Sequence, residues 1–102
     1  MTKAFLISPE DQSIEPIELS SENDIKQLIG FETIASDAVG SAGDRLFFDE
    51  ECFIRGASGR FQIDKLIPVA GKGVVVGVAA DGITLAEVST DIDDLRGRTL
   101  FQ

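Results

Sequence analysis

The chain has no histidine, no tyrosine, no tryptophan and a single cysteine. Without histidine it lacks the side chain that most often acts as a general base near neutral pH, and the most frequent metal ligand. One cysteine closes no intrachain disulfide and builds no multi-cysteine zinc site, which points to a cytoplasmic setting. Cys52 sits in Glu51-Cys52-Phe53-Ile54, beside a carboxylate that disfavours a thiolate, and reads as a small packed hydrophobe rather than a nucleophile. With seven Phe as the whole aromatic set, the chain is poorly equipped to stack on carbohydrate.

Long apolar runs are also missing. Ala4-Phe5-Leu6-Ile7 is cut by Ser8-Pro9-Glu10-Asp11, short of the roughly seven apolar residues at the core of an export signal. Nothing approaches the ~18 of a membrane helix. The expectation is a protein with no export signal and no membrane association. Bases are scarce as well: nine Lys and Arg stand against 18 Asp and Glu, a net charge of -9. Such a surface repels phosphate backbones, so direct nucleic-acid binding is not expected.

What is present suffices for one domain, 1–102, with 43% hydrophobic residues for one core. A domain of this length buries roughly 60–70% of its unfolded-chain surface and folds alone; a homodimer is compatible with it. The patterning predicts an α+β fold, a mostly antiparallel sheet of five to seven strands with two short helices. Residues 3–8 and 13–19 read as a hairpin whose second strand lies at an edge, because Pro16 has no N–H for a ladder. Ser20 or Ser21 caps a helix with an apolar face of Ile25, Leu28 and Ile29, and Gly30 stops it. Residues 31–35 read as a strand, 37–44 as a loop and 45–49 as a strand. Glu50-Glu51 turns into a strand over 52–55, a flexible loop covers 56–59, and a short strand spans 61–63.

Pro68-Val69-Ala70-Gly71-Lys72-Gly73-Val74-Val75-Val76-Gly77 is the most informative stretch. Its glycines permit a tight turn, and the valine run predicts a strand over 73–78 at the sheet centre. Asp81-Gly82 then turns the chain into an antiparallel return over 83–88. Ser89 or Thr90 caps a last helix that faces Ile92 and Leu95 inward and ends at Gly97; residues 98–101 finish extended.

The Gly-Lys-Gly turn does not make a phosphate loop. A nucleotide loop runs Gly-x-x-x-x-Gly-Lys-Ser/Thr into a helix whose N–H groups meet the phosphates. Here no Ser or Thr follows Lys72, and a strand comes next. Bases do crowd the middle: residues 33–72 carry six acids and five bases, whereas residues 1–32 carry seven and two. Arg55 and Arg60 flank a glycine loop, and arginine suits bidentate contacts to anions. A local anion site on Arg55, Arg60 and Lys72 is the sharpest candidate, against ordinary solvated loop charge. The carboxylates Asp49-Glu50-Glu51 and Asp91-Ile92-Asp93-Asp94 do not follow a calcium loop. The second group suits a helix N-terminus. No metal site and no cofactor is expected, and no catalytic residue stands out.

Several segments resemble a loose group of short, mostly uncharacterised proteins encoded by bacteriophages and prophages. They are Lys3-Ala4-Phe5-Leu6-Ile7-Ser8-Pro9, residues 25–30, Phe47-Phe48-Asp49-Glu50-Glu51, and the stretch from Pro68 to Gly77. Where that group tends to have glycine after the acidic turn, this chain has Cys52. The resemblance implies a small accessory protein in a bacterial or host cytoplasm, of a kind that in some cases blocks host defence. With the acidity, it gives the functional expectation: a non-enzymatic protein that binds a protein partner, in one version inhibiting a nucleic-acid-binding or defence protein of the host. The alternative is a small-molecule or nucleotide-binding module on Arg55, Arg60 and Lys72.

Overall fold

The computed structural model describes residues 2–40, 43–51, 54, 59–64, 66, 68–82 and 84–101. Their elements run β1 (Thr2–Ser8), β2 (Ser13–Leu19), α1 (Glu22–Ile29), β3 (Ile34–Val39), β4 (Asp44–Asp49), β5 (Arg60–Ile63), β6 (Val69–Ala70), β7 (Gly73–Val78), β8 (Leu85–Ala86), α2 (Ile92–Arg98) and β9 (Thr99–Phe101). All pairings between them are antiparallel. A six-stranded sheet has the order β2-β1-β7-β4-β3 with β8 also on β7, and a three-stranded sheet has the order β6-β5-β9. The fold is α+β, as the patterning predicts.

The large sheet is the middle layer of three. Phe5, Ile7, Leu46 and Val75 face the small sheet and α2, where they pack with Phe61, Ile63, Val69 and Leu95. Ala4, Leu19, Val74 and Val76 face the other way, onto Ile25 and Ile29 of α1. β7 is apolar at both parities because both of its faces are covered. Val74, Val75 and Val76 are each 0% exposed, and a strand buried on two sides reads as a continuous apolar run.

The glycines around this strand are required by space rather than by flexibility. A Cβ on Gly73 would stand 2.7 Å from the ring of Phe61 and 2.9 Å from Leu46. At Gly77, β7 exchanges its neighbour. Ala4 pairs with Val76, and one residue later Gly77 pairs with Ala86 of β8. The chain then bends across it, and the Val88 N–H donates to Lys3 O at 3.0 Å. Of the expected return strand of 83–88, Leu85–Ala86 pair as β8 and the bend takes residues 87 and 88 off the ladder; Ile83 lies outside the described residues.

Both edges of the large sheet are sealed. Antiparallel residues alternate between bonding their partner and pointing away. Glu50 N donates to Thr33 O, so Ile34, Ser36 and Ala38 turn their backbone groups outward. On that edge the Ile34 N–H donates to Glu32 O, and Arg45 Nη2 donates to Ser36 O at 3.1 Å. At the opposite edge the same alternation, carried through Val78 N to Gly43 O, puts Pro16 where its missing N–H would face solvent. Arg96 Nη2 donates to the outward Ile14 O at 3.0 Å. Proline and guanidinium caps are ways of blunting an edge that would otherwise template another strand.

Several boundaries differ from the sequence reading. β3 starts at Ile34 rather than 31, because Gly30 ends α1 with φ +90 and Phe31 stays 39% exposed on the way back to the sheet. Half of the loop expected over 37–44 is strand: Asp37 pairs with Leu46 and Val39 with Asp44. α2 is capped by Asp91, whose carboxylate accepts from Asp93 N at 3.1 Å, and not by Ser89 or Thr90; the Thr90 hydroxyl donates to Asp44. It runs through Gly97 to Arg98. At α1, Ser21 occupies the cap without a side-chain bond. Instead the Ser20 hydroxyl and N–H donate to Asp24 at 2.6 and 2.7 Å and hold its carboxyl below the usual range. The strand expected over 52–55 and the loop over 56–58 fall on residues outside the described ones, apart from Ile54, which lies in a turn.

α2 is tied back to the end of β5. Arg98 Nε donates to both oxygens of Asp64 at 3.0 Å, and Nη1 to Asp94 at 3.3 Å. The Arg98 hydrogen bond holds the Asp64 carboxyl below its ordinary value. A depressed carboxylate contributes stability that is present above its unfolded pKa and is lost as pH falls through the folded one. Asp64→Asn is therefore expected to lower stability near neutrality by under about 1 kcal/mol, since the pair is well solvated. It should flatten the acid limb below about pH 4. Urea midpoints of both proteins from neutral to acid pH check this; parallel curves would contradict it.

Candidate functional site

Three grooves are candidates. The first, of about 760 Å³, lies on the α2 side of the large sheet, between β1–β2 and the segment 88–92. Lys3, Phe5, Pro16 and Glu18 share that face because Lys3 pairs with Glu18 and Phe5 with Pro16. Phe5 sits at the bottom, 8% exposed; Val88 and Ile92 form the opposite wall, and Glu18, Asp91 and Lys3 stand at the rim.

That wall is fixed by a buried acid. Asp44 is 1% exposed and accepts from Ser89 N at 2.8 Å, Thr90 N at 2.8 Å and Thr90 Oγ1 at 2.5 Å. A carboxylate is tolerated there because each oxygen is met by donors. The other buried acid, Asp49, 3% exposed, accepts from Thr33 Oγ1 and, at 3.1 Å, from Glu51 N. Of the carboxylates Asp49-Glu50-Glu51, the first thus organises its own turn, and Glu50 and Glu51 are exposed.

The second groove, of about 420 Å³, lies on the opposite face. α1 packs on β2, β7 and β4, and beside it Ile34, Ser36 and Phe47 line a groove together with Lys26 of α1, Arg45, Glu22 and Glu32. Arg45 is held by Nε on Ser36 Oγ at 3.0 Å as well as by its bond to Ser36 O. A hollow of about 350 Å³ toward the β3–β4 turn continues it and shares Arg45.

The third groove, of about 470 Å³, holds Lys72. Arg60 pairs with Ala70, and Gly71 N donates to Gly59 O at 3.3 Å, so Arg60 and Lys72 lie on neighbouring segments. Arg55 is outside the described residues. Lys72 shares its groove with Glu10, Asp11 and the end of α1 at Ile29 and Gly30. Two carboxylates and the negative end of a helix oppose an anion there.

Sequence reasoning placed Arg45 among the central bases but carried no signal for Lys26 or for the first groove, whose walls come from opposite ends of the chain. Among the described residues, no three His, Cys, Asp or Glu are arranged to hold a metal ion. No helix there is long and apolar enough to cross a membrane. Comparison with protein-family models, curated proteins and solved structures found no match to this chain.

Proposed function

We propose that the protein is a small cytoplasmic binding protein, without enzymatic activity, that docks on a basic partner protein through the first groove. The observation that carries this reading is an apolar lining with acids at its rim. Phe5, Pro16, Val88 and Ile92 lie within a rim of Glu18, Asp91 and Lys3, on a chain of net charge -9. Protein interfaces pair an apolar centre with a polar rim, and a field of one sign speeds encounter with the opposite sign. In the setting that the resemblance to phage and prophage proteins implies, the partner is a nucleic-acid-binding or defence protein of the host, whose basic surface this chain would occupy.

The test is retention of bacterial proteins on the immobilised chain at low salt, beside Glu18→Lys/Asp91→Lys. Retained proteins are expected to be more basic than the lysate and to elute with salt. The double reversal should weaken a purified retained partner about tenfold, as rim charges of up to ~1 kcal/mol each imply. A retained set no more basic than the lysate, or equal retention by the variant, overturns the reading. The alternative, an anion module on Arg55, Arg60 and Lys72, has against it the carboxylates around Lys72.

A further inference from the structure

We propose that the second groove, between α1 and β3–β4, binds a small organic monoanion: a carboxylate carrying an apolar body. It lies on the face opposite the proposed protein-docking groove and does not depend on it.

Two observations carry this. The first is a pair of cations held out of direct ion pairs. In a chain with two acids for every base, Arg96 and Arg98 take carboxylates. Lys26 and Arg45 line one groove, half-buried, with no carboxylate in salt-bridge contact among the described residues. The second is preorganisation. Ser36 anchors Arg45 through Nε and Nη2, which leaves Nη1 and one Nη2 hydrogen as a fork whose orientation is already fixed. A guanidinium fork matches a carboxylate bidentately, and fixing it beforehand reduces the ordering cost of binding.

The rest of the lining selects the ligand. Ile34 and Phe47 give an apolar floor for the body of the molecule, and about 420 Å³ lies within the usual range of roughly 300–1,000 Å³ for small-molecule sites. Glu22 and Glu32 border the same groove and disfavour a second or third negative charge, which sets phosphates and nucleotides aside. The same two carboxylates accept an ammonium group, so a zwitterionic amino acid with an apolar side chain is the favoured form of this chemistry.

The experiment is a titration of the isotope-labelled full chain by NMR with 3-phenylpropionate, phenylalanine and inorganic phosphate as separate probes. The amides of Lys26, Ser36 and Phe47 are expected to shift with either carboxylate, at a Kd of about 1 mM or below. Phenylalanine should bind more tightly if Glu22 and Glu32 hold its ammonium, and phosphate should leave these amides in place. Lys26→Met, which touches neither sheet edge, should weaken carboxylate binding about tenfold, the scale of one charge-assisted contact. Arg45→Met should weaken it as much, although it also removes the bond to Ser36 O; agreement with Lys26→Met, which keeps that bond, assigns the loss to the groove. No shift in the groove with either carboxylate at about 10 mM, unchanged affinity in Lys26→Met, or equal binding of phosphate overturns the proposal.

Discussion

Gly77→Ala is expected to cost about 3 kcal/mol or more, the upper end for forcing atoms into a filled site. The added Cβ would stand 2.5 Å from Glu87 O and 2.9 Å from Ala86 O. Both are backbone atoms, so no side chain can rotate away. The 86–88 segment would have to lift off β7, which breaks the Gly77–Ala86 pairing and strains the Val88 N–H bond to Lys3. A loss of this size lowers Tm by roughly 12–24 °C in a domain of about 100 residues. Gly82→Ala is the control: its φ is +73 but nothing lies within 4 Å of the new carbon, so backbone strain of about 1 kcal/mol is the whole cost. Thermal and urea unfolding of the two variants separate crowding from strain; equal losses would contradict the argument.

Asp44→Ala is expected to cost about 3–5 kcal/mol, the range for removing one side of a buried charged network. Three donors, the amides of Ser89 and Thr90 and the Thr90 hydroxyl, would lose their acceptor. Asp44→Asn keeps one oxygen and should cost about half as much. The damage should be directional: amide hydrogen exchange at residues 88–91 rises more than in β7, because the carboxylate is what holds this segment against the sheet. Uniform loss of protection would mean that Asp44 acts through general stability alone. Since the segment is a wall of the proposed docking groove, the variant should also lose partner binding ahead of global unfolding.

The elements legible in the sequence are those whose determinants are local. The 3–8/13–19 hairpin carries its turn and its edge proline within a few residues. α1 shows Ile25, Leu28 and Ile29 on one face with a glycine after them, and β7 shows burial on both faces as consecutive valines. Asp44 was not legible. An acid beside Gly43 reads as loop, and the donors that allow its burial are 45 and 46 residues away. Asp91 caps α2 instead of Ser89 or Thr90 for a related reason: Asp44 holds the Thr90 hydroxyl, and the helix begins at Ile92. The grooves were hidden more deeply. Lys26 lies on a helix whose pattern says only which face is buried, and it shares a groove with Arg45 because α1 packs across the sheet onto β4. The Gly71-Lys72-Gly73 turn drew attention as a possible anion grip; Gly73 and Gly77 turn out to be spacers for Phe61, Leu46 and the backbone of residues 86 and 87.

The place of β7 also dictates an order of events during synthesis. β1–β2 and β3–β4 are local hairpins, and each can close as soon as it leaves the ribosome. Neither touches the other directly in the finished sheet, because β7 lies between them, pairing Phe5 on one side and Leu46 on the other through Val75. Until residue 78 emerges, each hairpin therefore presents one unpaired inner edge that no proline or arginine protects. The two sealed edges guard the completed sheet, whereas the nascent chain depends on the late arrival of a single strand, the circumstance in which long-range pairing is slow and exposure to aggregation is greatest.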